Sequence, residues 1–132
     1  MSNTIEKLSW GSIGKSEHPL LAPAYSFENL VYTSGSIGAN EDGTFPPTAA
    51  AQAENAIKGL QKVLQAAGSD LDMVLKVLLF VNKSEDAAAV NAVYKKYFPS
   101  MPGRSCILVG FPNPEILVEL ECVAVKKSKA KL

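Results

Sequence analysis

The order of hydrophobic patterns along the sequence predicts a single α+β domain, with two helices on one face of a mixed β-sheet. Residues 73–81 form a nearly uninterrupted apolar run, which is typical of an internal strand. Residues 117–125 alternate in polarity as a strand with two different faces does. A chain of 132 residues with 47% hydrophobic side chains is about one domain. Residues 48–67 carry an apolar stripe of helical period, formed by Ala53, Ile57, Leu60, Leu64 and Ala67.

Ahead of the first helix, turn residues divide the chain into short strands. A strand is expected near residues 7–10. Residues 25–34 read as two strand pieces, with Glu28 and Asn29 forming the turn between them. Residues 35–47 contain several Gly and Pro residues and are expected to form a loop.

Capping residues define the two helices. Thr48 suits the start of the first helix, and Gly68 suits a left-handed stop. Ser84 is expected to cap a second helix over residues 84–98, which two prolines follow. Residues 104–109 then form a strand, so the predicted order is strands, helix, strand, helix, strands.

Composition excludes several classes of protein. The chain has 13 basic and 13 acidic residues, whereas nucleic-acid-binding domains are usually strongly basic. Apolar runs are too short for a membrane span, and the N-terminus lacks the apolar core of a secretory signal. Cys106 and Cys122 are read as reduced thiols, and the single histidine, His18, has no metal-ligand spacing around it. We therefore expect a cytoplasmic protein that binds no metal, nucleic acid or membrane.

The last strand has one apolar and one mixed face. The mixed face carries Glu119 and Glu121 among aliphatic residues. If this strand pairs with residues 104–109, Arg104 would lie near one of the two carboxylates. Such a face suits burial against a second copy of the chain, but it also fits a solvated sheet face with a weak surface ion pair. The apolar face should meet the helices and consists of Val118, Leu120, Cys122 and Ala124.

Several short segments of the chain form a recognisable set of motifs. Residues 102–106 read Pro-Gly-Arg-Ser-Cys, residues 118–121 read Val-Glu-Leu-Glu, and residues 29–35 read Asn-Leu-Val-Tyr-Thr-Ser-Gly. The first two segments are similar to the signature of the YjgF/RidA family, also labelled endoribonuclease L-PSP, and the third occurs in the right order. Further pieces that resemble this family are 51–53, 66–68, 80–81 and 90–94.

This resemblance implies a fold and an activity. The fold would be a chorismate-mutase-like α+β domain over residues 1–126, with a basic tail at 127–132. The assembly would be a homotrimer with clefts between subunits. The activity would be hydrolytic deamination of reactive 2-imino or enamine acids, such as 2-iminobutanoate and 2-iminopropanoate, to 2-oxo acids and ammonia. No cofactor is expected, because an iminium carbon is already electrophilic.

The resemblance also assigns residues to the expected site. Arg104 matches the family's carboxylate anchor, a role that suits a planar guanidinium. Glu119 matches the acid that directs water and moves protons. Gly35 and Cys106 match positions whose backbone lines the pocket, and Asn91 matches a helix residue beside it.

One pocket position departs from the family pattern, which has a tyrosine there. Counting without gaps from residues 29–35 places Leu21 at that position, whereas a shortened loop would place Tyr25 there. This departure leaves open a non-catalytic, trimeric, small-carboxylate-binding or chaperone-like relative. An endoribonuclease is disfavoured by the zero net charge. Chorismate mutase chemistry rests on analogy of fold alone.

The chain ends in Ala130, Lys131 and Leu132, and lysines precede this tripeptide. Ala-Lys-Leu resembles the Ser-Lys-Leu peroxisomal address. A solubilising basic tail that ends this way by chance is the alternative. Peroxisomal import would fit the expected chemistry, because oxidases that act on amino acids release imino acids.

Overall fold

The computed structural model describes residues 4–127. It is a seven-stranded mixed sheet with two α-helices, so the predicted α+β class is confirmed. Short 3-10 turns precede several of these elements. The elements are β1 Ile5–Lys7, β2 Ala24–Phe27, β3 Leu30–Thr33, β4 Ser36–Ile37, α1 Ala49–Ala66, β5 Val74–Val81, α2 Ala87–Tyr97, β6 Gly103–Leu108 and β7 Val118–Val125.

The strand order is β1-β2-β3-β7-β5-β6, and β4 continues the line of β3 along β7. All pairings are antiparallel except that of β5 with β6. A parallel pair needs a long crossover, which α2 provides. The crossover places β6 on the far side of β5 from β7. The expectation that β6 pairs with β7 and brings Arg104 near Glu119 or Glu121 is therefore wrong.

The first helix begins and ends as predicted. The Thr48 hydroxyl accepts a hydrogen bond from the Ala51 amide at 3.2 Å, which satisfies one of the free donors of the first turn. Gly68 has a φ of 88°, the left-handed conformation that terminates the helix. The helix is therefore specified by its local sequence at both ends.

Three predictions of local structure are wrong. Residues 35–47 were expected to form a loop, but Ser36–Ile37 form β4 and pair with β7. Ser84 does not cap α2, because residues Ser84–Asp86 form a 3-10 turn and the helix follows it. The strand expected near residues 7–10 is Ile5–Lys7 instead. Beyond it, the amides of Trp10 and Gly11 bond to the Glu17 carboxylate at 3.2 and 2.9 Å, and Trp10–Ile13 forms a 3-10 turn.

The core lies between the helices and the sheet, and the four apolar residues of β7 are buried there as predicted. The opposite side of the sheet, here called the open face, is uncovered. β5 is internal in the sheet, but its outward side chains Leu78 and Phe80 are only half-buried. Six other apolar residues of the open face are between 38% and 65% exposed, namely Ile5, Tyr25, Phe27, Tyr32, Ile37 and Ile107.

The chain still contacts the domain at its last described residue. The Lys127 amide donates to the Gly68 carbonyl at 2.8 Å, and its ammonium lies 3.9 Å from Asp70. The tripeptide 130–132 lies outside the described residues. Over residues 4–127, no helix is long and apolar enough to cross a membrane.

Candidate active site

The side chain of Arg104 is held at the sheet edge by α2. Its Nη1 donates a hydrogen bond to Asn91 Oδ1 at 2.8 Å. Its guanidinium carbon lies over the Tyr94 ring, 4.7 Å from the centroid. The residue remains exposed, and only one of its five N–H donors is used by Asn91. The guanidinium therefore keeps donors for a second, planar partner such as a carboxylate.

The register of the sheet explains this placement. Arg104 lies beside Val77 of β5, a fully buried residue that faces the helices, so Arg104 also points to the helix side. Asn91 and Tyr94 are three positions apart and share one face of α2. Cys106 is on the same side of β6 as Arg104 and is exposed. Arg104, Asn91, Tyr94 and Cys106 are here called the arginine group.

Glu119 lies on the open face of β7, beside Gly35. Burial raises the pKa of the Glu119 carboxyl above its usual range, and the nearby Glu121 charge adds to the rise. A Cβ atom at position 35 would lie 1.9 Å from Glu119 Oε2, so a side chain at this position would force the carboxyl to move. A carboxyl with a raised pKa can exchange protons more readily near neutral pH. Glu119, Glu121 and Gly35 are here called the carboxylate group.

The two groups do not meet within one chain. Strand β5 separates β6 from β7. Arg104 is paired with Val77 of β5, and Val77 is paired on its other side with Cys122 of β7, which is three residues from Glu119. At the usual strand spacing, the Cα atoms of Arg104 and Glu119 are on the order of 14 Å apart. Their side chains also point to opposite faces of the sheet. Asn91 and Cys106 therefore accompany Arg104, whereas Gly35 accompanies Glu119.

A cleft of about 370 Å³ is lined on one side by Ser34, the residue that precedes Gly35 of the carboxylate group in the sequence. Leu21 and Tyr25 both line it, so both candidates for the family's tyrosine position face the same space. Ser34 closes one side, where its hydroxyl donates to the Ala22 carbonyl at 2.6 Å. The remaining lining residues are Lys7, Glu17, His18, Pro19, Leu20 and Ala22.

Sequence reasoning missed some of these residues and placed others well. Tyr94 belongs to the matching segment 90–94 but was assigned no role in the site, yet its ring lies against Arg104. The sequence signal that could have indicated this contact is the spacing of three between Asn91 and Tyr94, which places both on one face of the helix. Cys122 is buried as expected, and burial raises the pKa of its thiol to about 12. A wider depression of about 590 Å³ near the start of α1 is lined by none of the predicted site residues.

Among the described residues, no three His, Cys, Asp or Glu side chains form a cluster that could hold a metal ion. The predicted site residues offer an exposed guanidinium, that of Arg104, and a carboxyl of raised pKa, that of Glu119, on opposite faces of the sheet. The fold matches the crystal structure of YEO7 from yeast, with a TM-score of 0.85 and 29% identity. That match covers 94% of this chain and 100% of the yeast chain.

Sequence comparison gives the family. The family model described as endoribonuclease L-PSP matches residues 15–126, and the chain belongs to this family, the YjgF/RidA family. It is 38% identical to the RutC family protein UK114 of Drosophila melanogaster, over 76% of this chain and 75% of that protein. It is 33% identical to the 2-iminobutanoate/2-iminopropanoate deaminase of Escherichia coli K12, over 75% of this chain and 81% of that protein.

Proposed function

We propose that the protein is a cofactor-free deaminase that hydrolyses reactive 2-imino acids to 2-oxo acids and ammonia. The observation that carries this proposal is the exposed Arg104 guanidinium, held by Asn91 and Tyr94 with donors to spare. The 33% identity to a 2-iminobutanoate/2-iminopropanoate deaminase supports the substrate class. A 2-imino acid offers the planar carboxylate that such a guanidinium binds bidentately.

Glu119 supplies the proton transfers in this proposal. As a carboxylate it accepts a proton from water while the water oxygen bonds to the carbon of the protonated imine, which gives a neutral carbinolamine. It then returns this proton to the nitrogen, the C–N bond breaks with ammonia leaving, and the carboxylate takes the hydroxyl proton as the carbonyl of the 2-oxo acid forms. These transfers are easier for a group whose pKa is raised toward the working pH, as burial and Glu121 raise that of Glu119.

The substrate would be bound between copies of the chain. Because Arg104 and Glu119 lie on opposite faces of one sheet, a substrate that contacts both takes them from two different subunits. An interface that joins two different patches is heterologous, and repeating it gives a closed ring when the rotation between neighbours closes. A homotrimer with three clefts is the proposed ring. The exposed apolar residues of the open face would be covered by this assembly.

The proposal is tested by release of ammonia from freshly generated 2-iminopropanoate and 2-iminobutanoate. The wild-type protein should accelerate release, and Arg104→Ala should lose nearly all of the acceleration while it keeps the wild-type circular dichroism spectrum. Lys95→Ala removes an exposed positive charge elsewhere on α2 and should leave the rate unchanged. Near-normal turnover by Arg104→Ala would refute the assigned anchor.

A second candidate function is favoured by Leu21. It lines the same cleft as Tyr25 and Ser34, at a position where gapless counting expects the family's tyrosine hydroxyl. A trimer that binds small carboxylates without hydrolysing imines would fit this apolar replacement. Saturable binding of 2-oxobutanoate, together with no acceleration of ammonia release, would favour this candidate over the deaminase.

A further inference from the structure

We propose that Tyr94 is a positioning residue that orients the Arg104 guanidinium through the face of its ring, and that its hydroxyl is dispensable for this role. The inference rests on the proposed function, in which Arg104 anchors the substrate carboxylate. It adds a residue that does not itself touch the substrate.

Two contacts from one helix face restrain the guanidinium in different ways. Asn91 Oδ1 accepts a hydrogen bond from Nη1 at 2.8 Å, which fixes one N–H direction. The Tyr94 ring lies below the guanidinium carbon, 4.7 Å away, within the range of a cation–π contact. A long arginine side chain on an edge strand would otherwise sample many rotamers. Together, the contacts leave the other N–H donors free to bind a carboxylate.

The ring itself is firmly placed. Its centroid lies 4.4 Å from that of Phe98, and the two planes are inclined by 25°. Phe98 follows Tyr94 by four residues on the same side of α2 and is buried in the core. The stack Phe98–Tyr94–Arg104 therefore links the arginine to the rigid part of the domain.

The hydroxyl of Tyr94 takes no part in this arrangement. It is buried, and within residues 4–127 it has no hydrogen-bond partner. Burial raises the pKa of the Tyr94 hydroxyl, with the Arg104 charge opposing the rise, so the group stays neutral. A neutral hydroxyl without a partner neither positions the arginine nor transfers a proton. The ring face is what remains to act on Arg104.

Loss of the ring face should weaken substrate binding more than the chemical step. A carboxylate anchor is used in the ground state and in the transition state alike, so a misplaced anchor raises KM and changes kcat less. In Tyr94→Leu, which loses the ring face, KM should rise about three- to tenfold if the cation–π contact is of ordinary strength. Tyr94→Phe keeps the ring face, so its KM should stay within about twofold of the wild-type value.

The test separates electrostatic positioning from simple packing. Phenylalanine analogues with increasing fluorination are placed at position 94 by amber suppression, since fluorine weakens the negative ring face with little change of shape. KM for 2-iminobutanoate should rise steadily along the series from Tyr94→Phe. Tyr97→Leu is the matched control, because Tyr97 lies on the same helix but bonds to Glu54 instead of Arg104; its KM should not change.

A constant KM along the fluorination series would overturn the inference, as would a tenfold loss in Tyr94→Phe. The side-chain N–H resonance of Arg104 gives a readout that does not depend on turnover. It should be shifted upfield by the ring current in the wild-type protein and return downfield in Tyr94→Leu. A protein without deaminase activity would refute only the proposed function, because this resonance would still support or overturn the positioning.

Discussion

Replacing Gly35 by alanine should disable the carboxylate group with little damage to the fold. The added Cβ would lie 1.9 Å from Glu119 Oε2 and 2.8 Å from its Cδ, far inside any real contact. The backbone at Gly35 accepts a side chain, because the left-handed glycines of the described chain are Gly14, Gly43 and Gly68. The carboxyl must therefore move.

The displacement sets the expected magnitude. Restoring an ordinary contact of about 3.4 Å from 1.9 Å requires the carboxyl oxygen to retreat by about 1.5 Å, and a misplacement of about 1 Å can already lower a rate about a hundredfold. We expect kcat/KM for 2-iminobutanoate to fall by about that factor. The free energy of unfolding should change by less than about 1 kcal/mol, because the loss of backbone freedom in the unfolded chain offsets part of the strain.

The assay is steady-state ammonia release, with stability measured by urea unfolding. Gly110→Ala is the matched control, because its Cβ would have no atom within 4 Å. In a Glu119→Gln background, Gly35→Ala should lower the rate little further, since both changes act on the same carboxyl. Full activity of Gly35→Ala, or losses that simply multiply in the double variant, would refute the reasoning.

Three further results are expected. Glu121→Gln removes a like charge, so the pKa of Glu119 should fall and the acidic limb of the kcat/KM profile should move to lower pH; an unmoved limb would exclude Glu119 as the titrating base. Gln52→Leu should lower the free energy of unfolding by about 3 kcal/mol in urea titrations, because the buried amide bonds the backbone at Pro46, Glu115 and Leu117; a loss below about 1 kcal/mol would contradict this. In a eukaryotic cell, an N-terminal fluorescent fusion should enter peroxisomes if residues 130–132 act as an address, and a cytosolic signal would contradict import.

The contribution of Glu119 to the free energy of unfolding depends on pH. The folded-state pKa of Glu119 is raised above its usual value of 4.5, so the folded chain holds this proton more tightly than the unfolded chain. The stabilisation of the folded chain by this tighter proton binding is fully present below pH 4.5 and is lost as the pH rises through the raised pKa of Glu119. The site therefore carries a stability cost at neutral pH, which is common for groups kept for catalysis.

Much of the fold could be predicted from the sequence, because its signals are local. Thr48 and Gly68 define α1 through cap chemistry, and the alternation along β7 sorted its buried and outward residues correctly. The helix start at Ala87 and the 3-10 turn at Trp10–Ile13 were missed. Both depend on where particular backbone amides find partners, such as Glu17 for Trp10.

The arrangement of the candidate site was harder to predict, because it depends on strand order. Because β6 and β7 follow each other in the sequence, they were expected to pair. The crossover through α2 instead places β5 between them. This changes the relation of Arg104 to Glu119 from neighbours to residues on opposite faces. The family resemblance was sufficient to select Arg104 and Glu119. Only the strand order and register show that these two side chains do not meet within one chain.

Mixing inactive subunits tests the central claim most directly. Arg104→Ala chains retain Glu119, and Glu119→Gln chains retain Arg104, so a cleft between one of each can be intact. After joint unfolding and refolding at equal amounts, random assembly into rings should restore about a quarter of the wild-type ammonia release. Each variant refolded alone should stay inactive. A mixture that forms rings but remains as inactive as its components would contradict a site shared between copies of the chain.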